Sequence, residues 1–176
     1  MNTLCHYREL VIRQVSHQYK VETQCRMYLS VLAHKADAPA LKKICRTALS
    51  ATRTRIKVLR GLLSSMNALS ETGSVIGVNG ILREGFQRID QASDAERKDA
   101  VILQTLIASY HYKVGNYQIV LRYLQALDWE FEVHIVQSLL TDLERTVQQF
   151  LRALTCESDN TLVERPMATD RLAAVS

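Results

Sequence analysis

The chain has 176 residues and a mass of 20.0 kDa, enough for one domain with a tail and too little for two independent cores. Hydrophobic residues make up 47% and charged residues 23%, with only six Gly and two Pro, which excludes fibrous and loop-rich all-β classes and favours helix. The net charge of +4 is mild, and no window approaches the roughly 18 apolar residues that a membrane crossing needs.

The first residues, Met1 to Glu9, lack the apolar run of a secretion signal, so the expected address is cytoplasmic. From about Thr3 to Ala36, Tyr7, Val11, Val15, Cys25, Leu29 and Leu32 recur at helical steps and predict one long helix. Asp37-Ala38-Pro39 reads as an N-cap with Pro in the first turn, opening a second helix to about Ser70. Its apolar stripe is Leu41, Cys45, Leu49, Thr52, Ile56, Leu59, Leu63 and Met66. A joint this short folds the two helices back as an antiparallel hairpin.

Residues 71–92 contain four glycines around Ile81, Leu82 and Phe86 and predict a crossover holding a short helix. Ser93-Asp94-Ala95-Glu96 is a capping box for a third long helix, with Leu103, Leu106, Ile107, Tyr110, Val114, Tyr117, Leu121 and Leu124 inward. Asp128 is expected to cap a fourth, whose stripe is Val133, Val136, Leu140, Leu143, Val147, Phe150, Leu151 and Leu154. Periodicity fades after Cys156, and Pro166 follows. Residues 1–155 are therefore expected to form an all-α, ferritin-like four-helix bundle of two antiparallel hairpins, and 156–176 a flexible C-terminal tail.

Such bundles hold di-metal centres on inward carboxylates, so acids on the buried stripes are the candidate ligands. Glu22 lies inward on the first helix, and Glu144 occupies the matching place on the fourth, between Leu140 and Val147. The corresponding positions on the other two helices are Ala48 and Ala51, and Tyr110 and Lys113. Alanine cannot coordinate a metal, and an ammonium donates hydrogen bonds without accepting any. The expectation is a buried polar centre of Glu22, Lys113, Glu144 and Tyr110 in which Lys113 pairs with Glu22, Glu144 or both, and a salt bridge stands where a metal would. The competing expectation is that Lys113 reaches the surface and Glu22 is solvated.

From Ala38 to Ser70 there is no acidic residue, and Lys42, Arg46, Arg53, Lys57 and Arg60 fall on one helical stripe. This basic surface is either a solvated face, a contact for an acidic helix of a second subunit, or a site for an acidic protein or nucleic acid. The cysteines show no zinc spacing; Cys25 and Cys45 sit on apolar stripes and read as reduced core residues. Of His17, His34, His111 and His134, His111 borders a buried stripe next to Tyr110; a lone histidine there reads as a hydrogen-bonded boundary residue, with a metal ligand as the alternative. No phosphate loop or nucleophile elbow is present, and Gly77-Val78-Asn79-Gly80 lacks the context of a P-loop.

From about Tyr7 to Leu154 the chain resembles the bacterial YciE/YciF family of ferritin-like proteins. Tyr19-Lys20-Val21-Glu22-Thr23-Gln24 is similar to the family's Y-S-A-E-K-Q, and Ala38-Pro39-Ala40-Leu41-Lys42 to its S-P-E-L-K. Gly80-Ile81-Leu82-Arg83-Glu84-Gly85 resembles G-L-I-E-E-G, and His111-Tyr112 with Tyr117 resembles the end of E-H-Y-E-x-x-x-Y. The resemblance implies a dimeric, stress-associated protein with a di-metal centre, and it supports Glu22 and Glu144 as ligands. Elsewhere the pattern departs. The family's H-L-E-E-T is replaced by Ala48-Leu49-Ser50-Ala51-Thr52, and the two glutamates of E-H-Y-E correspond to Tyr110 and Lys113. The reading is thus a non-catalytic, cytoplasmic homodimer without cofactor, acting as a binding or structural protein. The alternative is a divergent ferroxidase or metal-binding stress protein with di-iron or di-manganese on Glu22, Glu84, His111 and Glu144. A third reading is association with nucleic acid or an acidic partner through the basic stripe.

Overall fold

A computed structural model describes residues 3–68 and 75–162, which form five helices: α1 (Thr3–Lys35), α2 (Pro39–Ser65), α3 (Ile76–Asp90), α4 (Ala95–Gln125) and α5 (Glu130–Leu162). There is no strand among the described residues. The four long helices share one core, and each feeds it through a stripe of alternating three- and four-residue steps. On α1 this stripe is Val11, Val15, Gln18, Glu22, Cys25, Leu29 and Leu32; on α2 it is Cys45, Ala48, Thr52, Arg55, Leu59 and Leu62. A 3.5-residue repeat keeps a seam facing its neighbours along the whole helix, as in coiled-coil-like packing.

Consecutive long helices pack as antiparallel pairs, α1 with α2 and α4 with α5, and α1 also packs along α4. The α2/α5 side touches far less than these. Helix α3 lies outside, mainly against α4 and more lightly against α1, where the rings of Tyr28 and Phe86 meet tilted, 5.3 Å between centroids, and Lys35 pairs with Asp90 at 2.7 Å. Gly85 makes the approach of α3 to α4 possible, since a Cβ there would collide with the Thr105 side chain.

The helix ends differ from the sequence reading in instructive ways. The residue preceding α2 is Ala38, and no side chain of its own segment caps that helix. Asp99 of α4 does the work instead, accepting from the N–H groups of Asp37 and Ala38 at 2.8 and 2.7 Å. A tertiary carboxylate thus replaces the expected Asp37 cap and ties the α1–α2 joint to α4. At α4, Asp94 is the cap, its carboxylate accepting from Arg97 N–H at 2.8 Å.

Asp128 does not cap α5. It terminates α4 in the left-handed region at φ 54°, and Trp129 N–H returns to Leu124 O at 3.2 Å. Asn67, at φ 55°, ends α2 in the same manner, with Ala68 N–H bonded to Leu63 O, so that helix closes at Ser65 instead of Ser70. Both are Schellman-type endings made with Asn or Asp where glycine is usual. Helix α5 continues past Cys156 to Leu162. The remainder of the expected tail, 163–176, lies outside the described residues.

Candidate functional site

The sequence places Gln18 and Glu22 on α1, Thr52 and Arg55 on α2, and Tyr110, Lys113 and Tyr117 on α4 at stripe positions that point into the shared core. All seven are buried. An unpaired carboxylate there would cost several kcal/mol or take up a proton. Glu22, 0% exposed, meets two cations instead. Lys113 Nζ lies 2.9 Å from its Oε2 and Arg55 Nε 3.2 Å from its Oε1, while the Tyr117 hydroxyl donates to Oε1 at 3.2 Å.

The cations are held in turn. Lys113 Nζ sits 3.8 Å from the centroid of the Tyr110 ring, whose negative face stabilises an ammonium removed from water. Tyr110 is itself fixed edge-on against Phe150 of α5 at 4.9 Å. Arg55 Nη2 donates to Thr52 Oγ1 at 3.0 Å and to the Tyr110 hydroxyl at 3.4 Å, and Nη1 donates to Asp142 Oδ2 at 2.8 Å. Asp142 is half exposed, so Arg55 spans from the dry centre to the rim. Two carboxylates and two cations thus balance in charge. Burial lowers the Arg55 pKa, but Glu22, Tyr110, Tyr117 and Asp142 outweigh it and leave the guanidinium above its ordinary value. Burial, and then the negative charge of Glu22, push Tyr117 well above the usual phenol range, against the pull of Arg55. Gln18, also buried, lies beside Tyr117 and lowers its pKa, yet neither of its own amide atoms makes a well-aligned hydrogen bond.

The structure brings Glu22, Lys113 and Tyr110 together and leaves Glu144 outside the group. Glu144 is exposed, because Leu140, Leu143, Val147 and Phe150 set the inward face of α5 and the next residue after Leu143 is turned about 100° away. Lys113 pairs with Glu22 and not with Glu144. Glu84 and His111 are exposed as well, so of the four residues in the metal-binding alternative only Glu22 reaches the centre. Among the described residues no three His, Cys, Asp or Glu side chains gather.

Arg55 was missed, although its signal was present. The three- and four-residue steps Cys45, Ala48, Thr52, Arg55, Leu59 and Leu62 pass through it, but the apolar stripe expected for this helix continues from Thr52 to Ile56 and leaves Arg55 aside. Of the basic stripe, Arg46, Arg53, Lys57 and Arg60 are exposed and Lys42 is half-buried. Arg60 is tied by Nη2 to the Tyr19 hydroxyl at 2.9 Å. Cys25 and Cys45 are buried and reduced; burial pushes their thiols up to about 11 and about 12.

Residues 6–162 match the family described as a domain of unknown function, DUF892. The chain belongs to that family. Its fold is shared with the E. coli stress protein YciF, at a TM-score of 0.82 and 17% identity over 87% of this chain and 97% of that one. It is also similar to YcfI of Rhodopseudomonas palustris, provisionally described as a structural protein, at a TM-score of 0.78 and 17% identity over 82% of this chain and 92% of that one. A protein from Xanthomonas campestris pv. campestris aligns at a TM-score of 0.72 and 11% identity, covering 90% of this chain and 97% of its own. No curated protein matches the sequence. Among the described residues no helix is long and apolar enough to cross a membrane.

Proposed function

We propose that this DUF892 member is a ferritin-like four-helix scaffold whose centre is closed by an ionic cluster in place of a di-metal site, and that it serves as a binding or structural protein, as a homodimer. The single observation that carries the reading is Lys113 Nζ at 2.9 Å from Glu22 Oε2, with Arg55 on the other oxygen. A di-iron or di-manganese centre needs several hard donors converging on two cations. Here one buried carboxylate faces an ammonium and a guanidinium, so the donor set does not fit a pair of divalent ions. The fold and the stress-protein name of YciF support a scaffold role in a stress response without naming a reaction.

Metal content of protein purified without chelators tests the proposal. The expected result is iron and manganese far below one ion per chain; near-stoichiometric metal favours a divergent ferroxidase.

A second reading rests on the exposed Arg46, Arg53, Lys57 and Arg60, which offer one cationic face to nucleic acid or an acidic protein. Binding through it would weaken steeply with salt. A gel shift at low ionic strength is the test, and the absence of any complex removes the nucleic-acid version.

A further inference from the structure

The weak α2/α5 seam is an open groove of about 730 Å³. It exists because Ala51 and Thr54 on α2 and Ser138 on α5 are too short to bridge the two helices there. Its lining is unlike a gap between apolar stripes. Arg55 contributes to it, and Asp142, Arg145 and His134 line the α5 side. Arg55 is 1% exposed yet lines this opening, where its Nη1 donates to Asp142 Oδ2 at 2.8 Å. A buried guanidinium in the wall of a groove that also carries the exposed Arg145 is a recognition element for an oxyanion.

We propose that the α2/α5 groove binds a small organic anion, its carboxylate or phosphate oxygens taken by Arg55 and Arg145 and its hydroxyl groups by Thr54 and Ser138. Within the groove two guanidiniums face one carboxylate, Asp142, so the local charge favours an anion; behind it Lys113 and Glu22 cancel each other. Glu144 and Lys57 are exposed and do not line it. A guanidinium matches the planar geometry of these oxyanions, and the hydroxyl lining selects against a purely apolar ligand. The site shares Arg55 with the central cluster and so rests on that reading, whereas Arg145, Thr54 and Ser138 lie outside the cluster, and anion binding and metal content are read separately.

The test titrates phosphate and acetate separately, at constant ionic strength set with chloride, and follows binding by calorimetry and by amide chemical shifts. The full chain is compared with Arg145→Gln and with Ser138→Trp, which fills the groove; both positions are exposed, so the fold is retained. Saturable binding of either anion is expected, with shifts centred on Thr54, Ser138 and Arg145. Arg145→Gln weakens it about tenfold, the loss of one charge-assisted hydrogen bond, Ser138→Trp abolishes it, and Lys57→Gln leaves it unchanged. Failure of both anions to saturate overturns the proposal. So does binding that survives Arg145→Gln and falls in Lys57→Gln, which would assign it to the outer basic stripe.

Discussion

Glu22 is the residue on which the centre turns, because it is the one carboxylate that both buried cations meet at short range. Glu22→Gln keeps the shape and removes the charge, leaving Arg55 and Lys113 facing each other across a dry space. The expected loss is about 3–5 kcal/mol, the usual result of breaking a buried ionic network on one side, read as a fall in the urea midpoint. Exchanging the whole cluster for well-packed apolar residues would cost far less, since desolvation of the ions is relieved together with their attraction. The cysteines give a second residue-scale prediction. With thiols at about 11 and about 12 and both buried, Cys25 and Cys45 hold almost no thiolate at pH 8. Alkylation by iodoacetamide at that pH should require unfolding, so labelling of either thiol at the rate of a free peptide would contradict their placement.

At the scale of the helix, the ends are where local sequence and tertiary structure divide the labour. Asp94 caps α4 within its own segment. Its carboxyl is held below the ordinary value by the Arg97 N–H and the Ser93 hydroxyl. A lowered folded-state pKa means that the cap stabilises fully above the unfolded value, about 3.9, and loses that contribution as pH falls through the folded one. The difference in melting temperature between wild type and Asp94→Ala should therefore be largest near neutrality and shrink below about pH 4. Asp128 ends α4 at φ 54°, where an L side chain is strained, so Asp128→Gly should raise stability by about 1 kcal/mol in chemical denaturation. A loss of stability there would show that the aspartate makes a compensating contact.

The whole molecule was legible in the sequence to the extent that its information is periodic. Four long helices, the hairpin joint at Asp37-Ala38-Pro39 and a crossover helix follow from stripe spacing and punctuation, and the structure has them. What was not legible depended on partners distant in the chain. Asp99 caps a helix about sixty residues earlier, which no local pattern announces. Glu144 and Leu143 fit the same spacing almost equally well, and only packing settles which one turns inward. Arg55 shows the limit from the other side: three- and four-residue steps admit it to the core, but a charge is accepted there only once Glu22 and Asp142 are known to meet it. Residue identity argued for solvent, and the three-dimensional pairing reversed that argument.

The most direct measurement of the central claim is an anomalous-difference map from crystals of the full chain soaked in manganese. The account predicts no peak between α1, α2 and α4, with the Lys113 ammonium in density beside both the Glu22 carboxylate and the Tyr110 ring. Two strong peaks there, with Glu22 turned onto them and Lys113 displaced, would contradict it.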